Sequence, residues 1–492
     1  MEQIIQMYVC GPTVYDSSHI GHARTYIMVD TINRILTDIL CRDTHLVMNI
    51  TDIDDKIIKR STETGIDWRQ VAQTYEKSFF VSMAKLNVRL PDVVIRVSEV
   101  MDRIVQYIQT IIDNGFAYVS GGSVYFDSEA YVREGYPLEN LVDEDESQYQ
   151  SELSPLIILQ KKNKKDFALW KGREKTEVGF AVTFNYLGET INSWGRPGWH
   201  IECSTMIHET IGPHLDIHFG GADLKFPHHH NERLQAHAYY HPMFKPDVEI
   251  GASYESKVWS TQFMHIGRLN VKGLKMSKSL KNFITVDEAL QTMSNNQLRW
   301  MFIIHKWSEP MEFNEHTVAE AQSHDEIVRN FANKITHYPF GPYIQYKHKE
   351  FELAQFFKQT KKEIIIMLET YELEKVTVSI MNLISKTNAY LNQDLANECL
   401  IKKISLWLFD LLKKLGFDYD DQHKTGNIDD LMSVLIETRS AFRKLSRDNT
   451  INKETRDKIY QILDTERNVK LPEIGISLLD TKDSSYWHWL KS

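Results

Sequence analysis

Two hydrophobic periods alternate along the chain. Ile4 to Tyr15 is a nearly continuous apolar run ending in Gly11-Pro12, the composition of a buried strand. Between Gly21 and Leu40, Ile27, Val29, Ile32, Ile35, Leu36 and Ile39 recur at helical spacing. Thr44 to Ile50 is again strand-like, at the distance expected of a β-α-β unit, which implies parallel pairing through a right-handed crossover. Ligands of such sheets sit at the carboxyl ends of the strands. Residues from about 67 to 115 read as mostly helical, and Gly121-Gly122 marks a hairpin-like turn opening an irregular segment rich in Tyr, Glu and Asp. Trp194 to Gly221 returns to short strands and glycine turns, so the parallel sheet is expected in two separated halves. Helical periodicity dominates from about 315 to 415. An Asp-rich linker after Gly416 leads to one more helical stretch and the aromatic tail Tyr486-Trp487-His488-Trp489.

These shifts predict an α/β fold: a Rossmann-like parallel-sheet domain with an insertion, then a helix bundle and a small C-terminal domain. The expected boundaries are 1–115 and 191–250 for the two sheet halves, 116–190 for the insertion, 251–315 for a region carrying a lysine loop, 316–416 for the bundle and 417–492 for the last domain. A chain of 492 residues is too long for one ordinary core, which agrees. With 42% hydrophobic and 25% charged residues it is neither disordered nor membrane-embedded in composition. The N-terminus does not resemble a secretory signal, and the apolar run Leu406 to Leu412 is broken by Asp410 and too short to span a bilayer, so a cytoplasmic protein without membrane contact is expected. The four cysteines are then free thiols or metal ligands. A net charge of −10 argues mildly against a nucleic-acid partner, but Lys161 to Lys175 holds seven basic residues against two acidic ones, and Arg439 to Arg447 is basic again.

Three groups of residues carry chemistry. His19-Ile20-Gly21-His22 falls between the first predicted strand and its helix, where unpaired backbone N–H groups and the helix dipole favour anions. Two imidazoles there can donate to phosphates, and Gly21 lets a nucleotide lie against the backbone; alone, the tetrad reads more simply as histidines near a helix cap. Lys275-Met276-Ser277-Lys278-Ser279 has a mobile-loop composition with two ammonium groups that suit a triphosphate, each worth about 10²–10³ in rate, although a lone lysine pair is more often solvated surface. Cys10 ends the first strand, Cys203 opens a helical segment, and His228 and Glu232 lie four apart on one helix face. That donor set suits zinc, although Cys203 or His228 alone reads as a buried structural residue.

The histidine and lysine motifs, in this order and more than 200 residues apart, resemble the two signatures of class I aminoacyl-tRNA synthetases. The flanking blocks are similar to the cysteinyl-tRNA synthetases in particular: Tyr8 to Asp16, Asn49-Ile50-Thr51-Asp52-Ile53-Asp54-Asp55-Lys56, Gly195 to Ser204, Asp216-Ile217-His218 and Phe226-Pro227-His228-His229. The similarity runs from residue 7 to about 310 without reordering and continues more weakly to the tail. It implies ATP with Mg2+, L-cysteine and tRNA(Cys) as partners of a monomer, and one Zn2+ held by Cys10, Cys203, His228 and Glu232. It assigns catalysis to His19, His22, Lys275 and Lys278, and ATP binding to His19, Gly21, His22, Asp223 and Lys278. Thr51, Trp199 and His218 would surround the cysteine, with Trp199 closing the pocket and His218 beside the substrate. The C-terminal domain would bind the anticodon through Arg439, Arg443, Lys444, Arg447 and Trp487, since guanidinium forks read phosphates and bases and an aromatic plane stacks them. Zinc has a chemical reason to be there: shape alone separates cysteine from serine only modestly, whereas the metal takes thiolate in preference to a hydroxyl.

Three departures from the family pattern stand out. The segment before the first strand is much shorter than usual, His230 stands where glutamate is common, and Phe219 interrupts a run usually made of glycines. His229 or His230 could compete for the metal, and Phe219 is expected to narrow the nucleotide side of the pocket. Two other activities stay open at this point: a ligase joining cysteine to an amino-sugar acceptor, and a zinc hydrolase built on His228-His229-His230 and Glu232. The long C-terminal region argues against the first. The second leaves the lysine loop and the first histidine pair idle. A non-catalytic tRNA-binding paralogue should have decayed motifs, and these are intact.

Overall fold

A computed structural model of the chain describes residues 4–138, 160–245, 259–271, 273–275, 283–338, 340, 347–392, 396–419, 428–447, 451–473, 476–480 and 485–489. They form two compact units, Met1–Phe417 and Asp418–Ser492. In the first, the strands β1 (Ile5–Val9), β2 (Thr44–Ile50) and β3 (Val93–Arg96) join β9 (Leu215–Gly221) and β10 (Ser260–Ile266) in one parallel sheet of order β10-β9-β1-β2-β3. The chain therefore winds one way from β1 through β2 to β3 and the other way through β9 to β10, so the order reverses between β1 and β9, where such sheets bind ligands. Met7, Tyr8, Val9, Val47 and Ile50 are fully buried in it, each contributing about 1.5–3 kcal/mol.

Two expectations shift. The first strand stops at Val9 rather than running to Tyr15: Cys10 leaves the ladder, Pro12 has no N–H to offer it, and at Gly11 the backbone of β2 comes so close that a Cβ would sit 1.6 Å from the Asn49 carbonyl oxygen. Within the stretch read as helical, Val93-Val94-Ile95 forms β3 on the sheet edge.

The insertion carries a second, antiparallel sheet of order β4-β5-β6-β8-β7, built from β4 (Ala117–Ser120), β5 (Ser123–Phe126), β6 (Ala168–Gly172), β7 (Phe180–Tyr186) and β8 (Glu189–Pro197). Trp194 and Gly195 belong to β8 and not to the parallel sheet. The reason is steric: Cβ atoms at Gly195 and Gly198 would lie 2.2 Å from the Lys171 oxygen and 2.0 Å from the Ala168 oxygen, so these glycines serve the close approach of β6. Beyond β10, a small sheet of β11 (Leu269–Val271), β12 (Leu274–Lys275) and β13 (Met311–Phe313) packs against the helix Ile20–Arg34.

Four helices, Glu315–His337, His348–Glu369, Leu373–Leu391 and Glu398–Lys414, form the bundle around Leu353, Phe357, Leu383, Ile401 and Ile404. A buried guanidinium ties its end to the sheet domain. Arg299 donates to Asp30 Oδ2 (2.9 Å), Thr31 Oγ1 (3.0 Å) and the carbonyls of Leu415 and Asn87 (3.2 and 3.0 Å).

The second unit pairs the helices Ile428–Ser446 and Lys453–Thr465 with the hairpin of β14 (Ile476–Asp480) and β15 (Ser485–Trp489). Arg439, read from the sequence as an RNA-facing cation, points inward. It is 1% exposed and donates to the Leu463 oxygen (2.8 Å) and to Glu466 (3.1 Å), because a helix of this amphipathicity buries one stripe and Arg439 lies on it. Lys444 stays exposed. Trp487 lies in β15 opposite Leu478.

Candidate active site

A cavity of about 580 Å³ opens at the carboxyl ends of β1 and β9. On one side it meets Cys10, Cys203 and His228; on the other, His19, His22, Asp223 and Phe283; Thr51, Lys56 and Trp199 complete it. The sequence-predicted residues Cys10, Cys203, His228, His19, His22, Asp223, Thr51 and Trp199 thus converge on one space.

Cys10 comes from the end of β1, Cys203 from the helix Trp199–Thr210, and Glu232 from the helix His230–Tyr239, with His228 in the turn before it. The four donor atoms lie within 4.8 Å of one another, all buried. The two sulfurs are 4.0 Å apart, close to the roughly 3.8 Å that tetrahedral zinc with 2.3 Å bonds would set between them. Glu232 Oε1 is 2.9 Å from His228 Nε2 but out of line for a hydrogen bond, so a buried carboxylate oxygen faces the cluster unsatisfied. Burial pushes the Cys203 thiol up, yet the Cys10 hydrogen bond and the charge of His228 outweigh it and bring it down to about 6. Burial likewise opposes the charge on Glu232, but His218 and His228 hold it down to about 2. These residues fit a thiophilic, tetrahedral divalent cation.

A second set, Cys10, His218, His229 and Glu232, is equally compact. His218 and His229 are absent from the cavity lining, so this set faces the protein interior. His218 is fully buried, donor or acceptor to Glu232 Oε2 at 2.8 Å, and stacks on His229 at 4.0 Å. It sits behind the carboxylate rather than beside the cavity. His229 in turn contacts Cys10 Sγ (3.4 Å) and His265 (2.9 Å). His230 is buried against Phe226, outside both sets. Phe219, expected to narrow the nucleotide side, is instead fully buried in β9 and does not line the cavity, because its position in the strand turns it into the core.

The histidine motif departs from expectation in an informative way. His19 caps the helix Ile20–Arg34 with its own ring: Nδ1 accepts from the N–H groups of Gly21 (3.1 Å) and His22 (3.3 Å). Ile20 N–H goes to the Ile284 oxygen and Ala23 N–H to the His19 oxygen. The helix N-terminus therefore keeps its N–H groups for itself and offers none to a phosphate. What it offers is imidazole. His22 Nδ1 accepts from the His19 N–H (3.5 Å), and the two rings stack at 3.7 Å. With Nδ1 an acceptor in both, the neutral tautomer carries its proton on Nε2 in both, giving two parallel donors at the cavity. Burial, and then His19, keep His22 well below the usual histidine range, hence neutral.

Lys275 ends β12, paired with Asn270, and Lys278 lies outside the described residues. Past the loop the chain returns directly to the motif, where Thr285 bridges His19 and Phe283 packs edge-on to its ring at 5.2 Å. Thr51 is pinned by backbone bonds to Pro12 and Val14, and its hydroxyl receives Asn49 Nδ2 (3.3 Å). Trp199 covers His228 at 4.4 Å between ring centres. Asn49, whose Oδ1 also accepts from Gly11 N–H (2.8 Å), and Lys56 were missed as site residues, although both stand in the block Asn49 to Lys56. A neighbouring cavity of about 900 Å³ shares Thr13, Lys56 and Trp199 with the first and is lined by Lys171 and Arg173 of the basic run, both near Asp55.

Known proteins decide what this arrangement belongs to. Residues 1–323 match the family model described as the tRNA synthetases class I (C) catalytic domain. The chain belongs to the class I cysteinyl-tRNA synthetase family. It is 49% identical over 489 residues to a protein of Acanthamoeba polyphaga mimivirus named cysteine–tRNA ligase, covering 99% of this chain and 96% of the relative. A protein of the same name from Encephalitozoon cuniculi is 36% identical, covering 98% and 94%. Among solved structures, a methionyl-tRNA synthetase of Mycobacterium tuberculosis with methionyl-adenylate aligns with a TM-score of 0.55 at 12% identity over 84% of this chain and 90% of that one. A ternary LeuRS–tRNA–LeuAMS complex from Agrobacterium radiobacter gives 0.58 at 10% identity over 84% of each. Those two likenesses establish the class I fold of this family member. No described helix is long and apolar enough to cross a membrane.

Proposed function

We propose that this chain is a cysteine–tRNA ligase, which joins L-cysteine to ATP as an adenylate and then to the 3′ end of tRNA(Cys). The observation that carries the reading is one cavity lined both by thiol and imidazole donors and by two stacked imidazoles fixed as Nε2 donors. The near-complete match to named relatives, reaching into the C-terminal unit, favours tRNA over an amino-sugar acceptor.

In this reading Cys10, Cys203, His228 and Glu232 hold Zn2+, which supplies a Lewis acid that accepts thiolate and has no comparable gain from a hydroxyl. His218 orients Glu232 from behind, and Thr51 and Trp199 enclose the amino acid. Nε2 of His19 and of His22 donate to phosphate oxygens of Mg2+-bound ATP, Gly21 keeps the turn between them free of a side chain, and Asp223 accepts ribose hydroxyls. The cysteine carboxylate attacks the α-phosphorus, a carboxylate oxygen–phosphorus bond forms, and the bond to the leaving pyrophosphate breaks. Lys275 and Lys278 neutralise charge on the departing group. A terminal ribose hydroxyl of the tRNA then attacks the acyl carbon and AMP leaves. The C-terminal unit contacts the anticodon, and the protein acts as a cytosolic monomer; the Dictyostelium discoideum relative carries the label cytoplasmic in its name.

The test is transfer of labelled cysteine, with serine as control, onto total tRNA with ATP and Mg2+. Cysteine-specific charging is expected. Cysteine-dependent pyrophosphate exchange without charging would retain the active site but reassign the acceptor, and no exchange at all would end the ligase reading.

A further inference from the structure

Two residues beyond His22, Arg24 is 1% exposed and enters none of the chemistry above. Its guanidinium spans three backbone carbonyls: Nη1 donates to the Arg268 oxygen (2.8 Å), and Nη2 to the Lys306 and Glu309 oxygens (3.1 and 2.6 Å). None of these acceptors is a carboxylate, and Nε is buried without a partner. A buried cation neutralised by no anion is costly to retain, and only a planar fork of five N–H groups can grip carbonyls from two strands of chain at once.

What it grips is the root of the small sheet. The Arg268 oxygen also accepts Met311 N–H (2.9 Å), the bond that starts the pairing of β11 with β13. Gly267 N–H bonds the Trp307 oxygen (2.8 Å), and a Cβ there would fall 1.9 Å from the Glu309 oxygen, so the two roots touch where Arg24 binds them. From this root β11 runs to β12, which ends in Lys275. On the far side of the loop, Ile20 N–H bonds the Ile284 oxygen (3.0 Å) and Val286 N–H the Ser18 oxygen (2.9 Å). The helix that presents His19 and His22 thus holds both stems of the segment that carries the lysines, one through backbone pairing and one through Arg24.

We infer that Arg24 is a positioning residue for adenylate formation, fixing the sheet of β11, β12 and β13, with Lys275 at its edge, against the helix of the histidine motif. The inference rests on the ligase reading above. Displacing a catalytic group by about 1 Å can lower the rate about 10²-fold without touching substrate contacts.

The experiment measures cysteine-dependent ATP–pyrophosphate exchange in the zinc-loaded full-length protein and in Arg24→Met, Arg24→Lys and Gly267→Ala. Arg24→Met is expected to lower the maximal exchange rate about 10²-fold with the KM for cysteine and the zinc content unchanged, and with unaltered transfer from preformed adenylate to tRNA. Arg24→Lys, one cation without the fork, should fall between. Gly267→Ala disturbs the same root from the sheet side, leaves the helix intact, and should show the same split; it carries the test if Arg24→Met does not fold. Wild-type exchange rates in the soluble variants, or losses that match a fall in titrated active sites, would overturn the inference. Absence of exchange in the wild type would instead overturn the ligase reading.

Discussion

The thiol side of the cavity and the histidine side are assembled differently. Cys10, Cys203, His228 and Glu232 are at most 6% exposed, and each partner's charge or hydrogen bond shifts the next, so the donors stand ready together inside a packed core. On the other side, His19 and His22 depend on each other for orientation, and the lysines that would complete the site arrive on a loop whose stems are pinned to that helix from residues roughly 250 positions away. A core cluster of this kind governs which substrate is held. A site pieced together from distant segments governs how fast it reacts, because small displacements change transition-state contacts more than ground-state ones.

That division is open to direct attack from the histidine side. Lys278→Ala is expected to slow adenylate formation by about 10²–10³, as loss of one charge-stabilising donor does, while zinc content and cysteine KM stay at wild-type values. Single-turnover formation of adenylate is the measurement; an unchanged rate removes Lys278 from the chemistry.

The thiol side should respond the other way. Cys203→Ser is expected to weaken zinc retention by at least about the 10–100-fold typical of losing a supporting partner of a metal ligand, and to reduce discrimination against serine toward what shape alone provides, on the order of 10–200-fold. Metal analysis after dialysis and paired exchange assays with cysteine and serine read both. A full zinc complement with intact selectivity would show that Cys203 is no ligand, and would point to the set containing His218 and His229 instead.

Legibility in the sequence follows the same line. The parallel sheet could be read from apolar runs because β1, β2 and β9 are buried on both faces, and the bundle because its four helices keep one period over long stretches. Cys10, Cys203, His228 and Glu232 were readable because their residue types are unusual together. β3 was not: three apolar residues after Pro91-Asp92 are too short to show a period, although the turn ahead of them was a signal. Nor could a sequence show that His19 consumes the helix N–H groups, that His218 stands behind Glu232, or that Arg24 and Arg439 turn inward. Each depends on partners brought together only by the fold, such as the 244 positions between Arg24 and Arg268.

His22 allows the smallest and sharpest test, since it asks only about one proton. Burial lowers its pKa well below the ordinary 6.5, with His19 adding to the effect, so the folded ring refuses a proton that the unfolded chain accepts. The sign follows from linkage: below about pH 6.5 the unfolded state binds more protons, and stability falls with pH at up to about 1.4 kcal/mol per unit until the folded pKa is reached. His22→Asn removes that proton site and should therefore lose less stability than the wild type between pH 6.5 and 5.5. Urea midpoints at pH 7.0, 6.5, 6.0 and 5.5 measure it. A narrowing gap between the two proteins as the pH falls is the expected outcome. Parallel loss would mean that the ring takes a proton in the folded state, and a charged imidazolium on Nδ1 could not accept the His19 N–H that now orients it.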